Sequence, residues 1–317
     1  MKIKALNITH SHKMKNIIHW VYGLSRNTMC GKINGHNYHK RECIQRKCKE
    51  CGTKKIKEKM EGLIKKHGDK AITRKRWERT TVNNNGKDIA KQQITTKVGT
   101  ILECTSELLA EAETISTHLF NASCQLEQFV KLSTAPPPKT VTMVLDFVQN
   151  YTCIFQDEIQ SAHWHHASAT THPIICCYQC PVCIEAMQES LVFISSDTTH
   201  DSHAVHGFVE EAVKHLREKL DVTRIMRFSD GASSQYKSRG PFLDIAMAAY
   251  DFRYIDMEHH YFSSRHGKGP SDGESAVIKS QATNSVKAGT AVIQNASDLA
   301  SFAKKLNKIP EDGQCEH

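Results

Sequence analysis

Acidic residues at the ends of predicted strands are the side chains of this sequence best suited to chemistry. Asp146 lies near the end of the apolar run VTMVLDFV, and Asp230 directly follows TRIMRFS. A third acid is expected in the segment SDGES, with Asp272 as first choice and Glu274 in reserve. Convergent carboxylates supply the hard oxygen ligands that hold two Mg²⁺ or Mn²⁺ ions around a scissile phosphodiester. The sequence therefore predicts a two-metal site with Asp146, Asp230 and Asp272 as its metal ligands; for each acid taken alone, a turn or helix-capping role is the alternative.

A first group of cysteines has the spacing of a zinc site. Four residues separate Cys43 from Cys48, and two separate Cys48 from Cys51. The fourth, more distant ligand that tetrahedral zinc requires is Cys30, with His36 and His39 as alternatives. Zinc would help to fold a segment that has few apolar residues. Reduced thiols without a metal are the competing interpretation.

A second group of cysteines lies further along the chain. Its four members, which fall within eight residues, are Cys176, Cys177, Cys180 and Cys183. So dense a set strains a tetrahedral site, so that His172 or a distant residue would have to complete it. A second zinc ion is the hypothesis here, and unligated thiols are the alternative.

Several residues near the predicted acidic site are candidates for nucleic-acid contact. His266 and Lys268 stand among glycines in RHGKG, where a cation can approach a phosphate backbone closely. Gln235 and Lys237 follow Asp230, and Trp164 could stack on an unpaired base. The competing interpretations are a basic turn, a solvated helix start and a buried tryptophan.

The elements that must position these residues follow from hydrophobic periodicity. Apolar residues at three- and four-residue intervals predict one helix over about residues 100–131, and three prolines at 136–138 end it. Strands are predicted at 141–148, 172–178, 191–195, 223–229 and 254–262, with helices at 203–220, 241–250 and from 272. The order βββαβαβα is typical of an α/β fold with an RNase H-like mixed sheet flanked by helices. In that fold the strands before Asp146 and Asp230 are neighbours.

Charge divides the chain into two regions. Residues 1–100 contain 25 Lys and Arg against 7 Asp and Glu, a net charge of +18, whereas the other 217 residues contain 17 against 27. We therefore expect a basic, mainly helical and zinc-binding N-terminal region over 1–99, a long helix over 100–135, an RNase H-like domain over 139–306 and a tail over 307–317. A basic region of this strength favours a polyanionic partner, in the first place DNA.

Composition and motifs exclude several classes of protein. No window approaches a membrane-spanning length of apolar residues, and the first residues lack a signal-peptide core, so we expect a soluble, intracellular protein with no membrane partner. Phosphate-binding loop and serine-hydrolase patterns are absent, and no small organic cofactor is implied. The long helix is either a core helix or a dimerising coiled coil, which leaves homo-oligomerisation open.

Blocks of the sequence resemble a known family. They are ECIQRKCKECG, HLFNASCQLEQF, LDFVQNY, DEIQSAHW, ISSDTTHDSHAV, FSDGASSQYKS and RHGKGPSDG. Together they are similar to a transposon-derived, DDE/DDD-type transposase-like family of animal genomes. The resemblance implies an RNase H-like catalytic core in which Asp146 and Asp230 match the first two acids and Asp272 the third. It also implies DNA as substrate, with phosphodiester hydrolysis and strand transfer as the reactions.

Two other functions fit the same residues. After the GPSDG block this sequence continues with Glu274, Ser275 and Ala276, where the family pattern has further glycines. A catalytically inactive, transposon-derived DNA-binding or scaffolding protein is therefore one alternative. An RNase H-like nuclease that acts on RNA or hybrids is the other.

Overall fold

A computed structural model describes residues 21–35, 37–84, 87–154, 166–263 and 271–306. For Asp272 it describes the backbone and not the side chain. The chain divides into two compact units, Met1–Ser123 and Cys124–His317. Their boundary falls inside the long helix and not at the prolines.

The first unit combines short helices, a hairpin and most of the long helix. Its elements are α1 (Val21–Asn27), α2 (Arg41–Ile44), α3 (Lys54–His67), β1 (Ala71–Asn84), β2 (Lys87–Thr100) and α4 (Ile101–Thr134). Its buried core brings together Leu24 of α1, Ile56 and Met60 of α3, and Ala112 of α4. Because this core is small, other interactions must help to hold the unit.

The hairpin was not predicted. β1 and β2 pair antiparallel over their whole length, from Ala71 opposite Thr100 to Asn84 opposite Lys87. Both strands are mainly polar, so the sequence lacks the alternation of apolar and polar residues that marks a half-buried strand. The signal that could have revealed the hairpin is the pair Asn85 and Gly86, outside the described residues, because Asn-Gly is the preferred two-residue hairpin connection.

Helix α4 begins with a reciprocal pair of hydrogen bonds. The backbone N–H of Thr100 donates to the Glu103 carboxylate at 2.8 Å, and the N–H of Glu103 donates to the Thr100 hydroxyl at 3.1 Å. This capping box satisfies backbone donors that a helix start leaves free. Between Ile101 and Ala122 the helix buries one face in its own chain. That burial favours a core helix over a coiled-coil seam for this segment.

The second unit contains a mixed sheet covered by helices. Its elements are β3 (Thr140–Leu145), β4 (Tyr151–Thr152), β5 (Ser168–Gln179), β6 (Ala186–Ser195), α5 (Ser202–Arg217), β7 (Arg224–Ser229), α6 (Arg239–Asp251), β8 (Asp256–Tyr261), α7 (Ser271–Lys287) and α8 (Ala296–Leu306). The strand order is β6-β5-β3-β7-β8, and the two-residue β4 pairs with the start of β5. β5 runs antiparallel to β3 and β6, whereas β3, β7 and β8 are mutually parallel. The predicted mixed α/β character is confirmed.

The central strands are apolar because both faces of the sheet are covered. All six residues of β3 are buried, as are the ten central residues of β5. Met143 and Leu145 pack into the cluster that includes Val209 of α5, whereas Val144 packs into a cluster with Phe228 of β7. Burial on both faces gives near-continuous apolar runs in the sequence. This is why the short runs predicted these strands.

One buried ion pair ties helices to the sheet. The Arg227 side chain, only 2% exposed, donates from Nη1 to Asp244 Oδ2 at 2.7 Å, and His206 contacts the other carboxylate oxygen. Arg227 lies on β7, Asp244 on α6 and His206 on α5. Burial raises the pKa of the Asp244 carboxyl, but Arg227 and His206 outweigh that effect and hold it below its ordinary value. Asp244 is therefore a carboxylate that compensates a buried cation.

None of the described helices combines the length and the apolar character that a membrane crossing requires.

Candidate functional site

Four cysteines of the first unit come together as a metal-binding group. The sulfur atoms of Cys30, Cys43, Cys48 and Cys51 all lie within 4.8 Å of one another. Those of Cys30 and Cys48 are 3.9 Å apart. Zinc–sulfur bonds of about 2.3 Å in a tetrahedron place sulfurs roughly 3.8 Å apart. These four cysteines could hold a metal such as zinc.

The backbone around the cysteines adopts conformations that aim their side chains at one point. Cys43 lies in α2 and is fully buried, and Cys48 and Cys51 follow in the loop. Next to them Gly52 has φ +125°, a conformation that side chains other than glycine rarely adopt. Its N–H donates to the carbonyl of Thr28 at 2.9 Å. This bond joins the loop to the segment that carries Cys30.

Arg46 holds the same loop against α4. Its guanidinium donates to the carbonyl oxygens of Thr28 at 2.9 Å, Ala112 at 2.7 Å and Glu113 at 3.0 Å. Arg46 itself has φ +60°. Sequence reasoning missed this role, since a lone arginine between two cysteines carries no signal of its backbone partners.

The four thiols differ in acidity. A backbone hydrogen bond from Glu50, followed by a hydrogen bond to Cys51, lowers the pKa of Cys48 to about 7. Burial is the main cause that raises the pKa of Cys51 to about 12 and also raises that of Cys30. Of these three thiols Cys48 is therefore the most acidic, and Cys30 and Cys51 must lose protons when a metal binds.

The position of the Cys30 sulfur decides between Cys30 and His39 as the first ligand. His39 Nδ1 lies 2.7 Å from the carbonyl oxygen of Cys30, so that ring nitrogen is engaged by the backbone. The Cys30 sulfur joins the other three, and His36 lies outside the described residues. Cys30 therefore completes the group.

Two members of the second cysteine group lie on opposite faces of the sheet. Cys176 and Cys177 are consecutive residues of β5, so their side chains enter opposite faces of the sheet and two different core clusters. Cys180 is buried and Cys183 is exposed. Within the part of the chain that the structure describes, the N-terminal cysteines are the one group of three or more His, Cys, Asp or Glu close enough to share a metal. The structure therefore does not bring these four cysteines together as one ligand set.

Asp146 and Asp230 follow two adjacent parallel strands. The register of β3 and β7 pairs Val144 with Phe228, and the same interval separates Asp146 from Asp230. Both acids therefore follow the carboxyl ends of their strands and lie at the same end of the sheet. In open α/β sheets ligands bind at this end.

The negative charges of both acids act on the pKa of one buried tyrosine. Tyr236 is fully buried, and its pKa is raised well above its ordinary value by burial and then by the negative charges of Asp146 and Asp230. Its hydroxyl lies 3.2 Å from His172 Nε2. The two carboxylates thus act on one phenol, which is consistent with their placement at neighbouring strand ends.

Local hydrogen bonds fix the turn at Asp230. The Asp230 Oδ1 atom accepts from the N–H of Ala232 at 3.0 Å, and the hydroxyl of Ser229 donates to the carbonyl of Asp230 at 2.8 Å. His259 Nε2 contacts the same Ser229 hydroxyl at 2.8 Å. Asp230 therefore stabilises a turn, which was the alternative to metal binding in the sequence analysis. Only its Oδ1 atom takes part in the hydrogen bond to Ala232.

Aromatic side chains pack around Phe147, the residue that follows Asp146. Burial lowers the pKa of His172 to about 3, so its ring is neutral. The rings of Phe147 and Phe208 pack on it at 4.5 and 4.9 Å. Next to them His200 Nε2 lies 2.8 Å from the side-chain oxygen of Asn150. Sequence reasoning did not single out Tyr236 or Phe147; for Phe147 the available signal was an aromatic residue directly after Asp146.

For Asp272, the predicted third acid, the structure describes only the backbone. Asp272 lies in the first turn of α7. Among the described side chains, Asp146, Asp230 and Glu274 do not form a group whose ligand atoms all lie within 4.8 Å of one another. The structure thus does not bring Glu274 together with both acids, and Asp272 stays the prediction for this position.

The predicted nucleic-acid contacts are only partly described. Trp164, His266 and Lys268 lie outside the described residues. Gln235 and Lys237 lie in the segment between β7 and α6 that also carries Tyr236, and the Lys237 ammonium stands 5.1 Å from the Tyr261 ring centre. Both therefore lie within a few residues of Asp230, where a phosphate contact was predicted.

Comparison with known proteins places most of the second unit in a family. Residues 125–310 match a domain of unknown function, DUF8701. No curated protein and no solved structure matches the chain. The match includes Asp146, Asp230 and Asp272 and begins after the four N-terminal cysteines. Because it covers more than half of the sequence, the chain belongs to the DUF8701 family.

Proposed function

We propose that this protein is a transposase-like, metal-dependent DNA-processing enzyme. The observation that carries the proposal is the position of Asp146 and Asp230 at the carboxyl ends of two adjacent parallel strands, in the same register. The negative charge that both acids exert on Tyr236 supports their proximity. The reactions proposed are hydrolysis of a DNA phosphodiester and transfer of the resulting strand.

The order and direction of the strands support an RNase H-like fold for the second unit. The first three long strands, β3, β5 and β6, form an antiparallel meander, and β7 and β8 continue the sheet parallel to β3. Helices α5 and α6 separate the later strands. This is the order βββαβαβα that the sequence predicted, apart from the two-residue β4. We infer from it that the carboxyl ends of β3 and β7 carry the acidic site of such a sheet.

The residues present suit hard divalent cations. Asp146 and Asp230 offer carboxylate oxygens, and Asp272 at the start of α7 is the proposed third ligand. Mg²⁺ or Mn²⁺ held there would supply activation of the attacking oxygen and stabilisation of the leaving oxygen. The fully buried Tyr236, whose pKa is raised, and the neutral His172 add no charge of their own next to the two carboxylates.

The charge of the first unit supports DNA as the substrate. The net charge of +18 over residues 1–100 favours a phosphate backbone, and the four cysteines give this basic region a metal-ordered segment. A transposon-derived enzyme that acts on chromosomal DNA would be nuclear. The first unit would thus hold the DNA on which the second unit acts.

A second candidate function is a DNA-binding or scaffolding protein without catalysis. The observation that favours it is that Glu274 does not join the acid pair among the described residues. On this alternative the fold and the basic unit are kept, and the chemistry is lost. An RNase H-like nuclease that acts on hybrids would share the same acids.

Mn²⁺-dependent nicking of supercoiled plasmid by the zinc-loaded chain tests the proposal. Asp146→Asn and Asp230→Asn should each lower the nicking rate roughly 100-fold or more, because each removes a charged ligand from the reacting centre. Asp221→Asn is the matched control, since Asp221 is exposed and lies before β7, at the other end of that strand. Equal nicking by all four proteins would show that the site is misplaced. DNA binding without nicking by the unaltered chain would favour the scaffold, and cleavage confined to an RNA–DNA hybrid would favour the nuclease.

A further inference from the structure

The hairpin formed by β1 and β2 has one face whose charges are neutralised. Arg74 Nη2 lies 2.6 Å from Glu107 Oε1, and Arg76 Nη2 lies 3.2 Å from Glu111 Oε1. Both glutamates belong to α4. Side chains alternate between the two faces of a strand, so Arg74 and Arg76 point to the same face. These ion pairs fasten that face of the hairpin to the helix.

The opposite face of the hairpin is exposed along its described length. This outer face includes Thr73, Lys75, Trp77, Arg79 and Thr81 on β1 and Asp88, Ala90, Gln92, Ile94, Thr96 and Val98 on β2. Lys75 and Arg79 form no ion pair with any residue that the structure describes. The same ribbon thus has paired cations on one face and unpaired cations on the other.

Large apolar side chains stand between those unpaired cations. Trp77 is 47% exposed and lies opposite Ile94, which is 53% exposed. Lys75 and Arg79 are two residues away on either side, which places each cation about 7 Å along the strand from the indole. Trp77, Ile94 and Val98, which is 74% exposed on the same face, form a row of exposed apolar side chains, and contiguous exposed apolar surface is a feature of interaction sites. The flanking cations indicate that the partner is an anion.

We propose that this outer face binds single-stranded nucleic acid. The Trp77 indole, with Ile94 beside it, supplies an apolar surface on which an unpaired base stacks, and Lys75 and Arg79 contact the phosphates on either side. Charge complementarity determines the choice of partner, because the surrounding region has a net charge of +18. The one acid among the described residues of this face, Asp88, lies near the turn of the hairpin, opposite Asn83 and four residues beyond Arg79 along the ribbon. The inference deepens the proposed DNA-directed function and rests on it for the class of partner.

An unpaired strand fits this face better than a duplex. Stacking on an indole requires a base whose face is accessible, and the bases of a duplex are covered by their neighbours. Around Trp77 the outer face offers one aromatic ring and two cations, and the other polar groups there are short hydroxyls and one amide. It is therefore suited to stacking and phosphate contact without reading a base sequence.

Fluorescence anisotropy with a labelled oligothymidylate of about 16 nucleotides, and with a duplex of the same length, tests the inference. Trp77→Ala in the full zinc-loaded chain should weaken single-strand binding roughly 5-fold to 100-fold, and Trp77→Phe should recover part of it. Lys75→Ala with Arg79→Ala should reduce the slope of log Kd against log salt by about 1.4. Lys65→Ala with Lys66→Ala, exposed on α3, removes the same charge and should leave the slope unchanged.

Each other outcome overturns a definite part of the inference. Binding that is insensitive to Trp77, Lys75 and Arg79 would show that the hairpin is not the surface, while the DNA-directed function would stand. Trp77-dependent binding that prefers the duplex would overturn the choice of an unpaired strand. Variants that change only the sedimentation of the chain would show that the face joins two copies. Failure of the unaltered chain to bind any nucleic acid at low salt would contradict both the inference and the proposed function. All of the exchanged side chains are exposed, so circular dichroism should show unchanged folding.

Discussion

Replacing Cys43 by serine should abolish zinc binding and unfold the segment around the four cysteines. The unaltered chain should retain about one zinc ion after dialysis, and Cys43→Ser close to none, because a structural zinc ion needs all four of its ligands. Apparent binding free energies of structural zinc are about 10 to 16 kcal/mol, far more than the small core of the first unit supplies. Zinc content can be measured with a chromogenic chelator and folding by circular dichroism.

A matched pair of cysteine variants separates this centre from a general effect of lost thiols. Cys124→Ser on α4 and Cys183→Ser after β5 remove thiols that lie outside the group. Both should keep the zinc content of the unaltered chain. Full zinc content in Cys43→Ser would contradict the assignment, and loss of zinc in Cys183→Ser would restore the second group as a ligand set.

Replacing Asp244 by alanine should lower the free energy of unfolding by about 3 to 5 kcal/mol, because it leaves the Arg227 guanidinium buried without its compensating charge. Nε and Nη2 of Arg227 have no hydrogen-bond partner among the described residues, so Asp244 is its main support. Since the pKa of Asp244 is lowered in the folded protein, its contribution is present above the ordinary carboxyl range and is lost as the pH falls through the folded-state value. Urea unfolding followed by circular dichroism measures the change.

The control for the buried pair is an exposed one. Asp221 pairs with Lys139 at 2.7 Å, but both side chains are mostly exposed, so Asp221→Ala should cost no more than about 1 kcal/mol. The double variant Arg227→Met with Asp244→Leu should regain most of the loss, because an apolar pair can replace a buried ion pair. A cost for Asp244→Ala as small as that for Asp221→Ala would mean that the guanidinium is not desolvated.

The second unit was easier to predict than the first because its strands are buried on both faces. Runs such as TVTMVL in β3 and RIMRFS in β7 are read correctly from short apolar stretches, since a covered strand has few polar residues to interrupt the pattern. In the first unit one face of β1 and β2 is exposed to solvent, and the other face contacts α4 through ion pairs. The sequence of these strands therefore does not alternate between apolar and polar residues. Periodicity detects burial, and this hairpin buries too little to be detected.

The candidate sites were predictable where local spacing reflects local geometry. Cys43, Cys48 and Cys51 lie close together in the chain, and their spacing was enough to predict a shared metal, although Cys30 could be chosen over His39 only from the structure. Cys176 and Cys177 show the limit of this reasoning, because neighbours on a strand face apart. The proximity of Tyr236 to both Asp146 and Asp230 could not be predicted from the sequence, because it depends on the pairing of β3 with β7.

Binding of Mn²⁺ to the zinc-loaded chain, followed by electron paramagnetic resonance, tests most directly the claim that Asp146 and Asp230 form one divalent-metal site. With the four cysteines occupied by zinc, the unaltered chain and Asp221→Asn should show the same saturable Mn²⁺ binding. Asp146→Asn and Asp230→Asn should each lose it, because in the proposed site the ion is bound by both carboxylates, which follow neighbouring strands. Undiminished binding in both variants would contradict the account, whether or not the protein cleaves DNA.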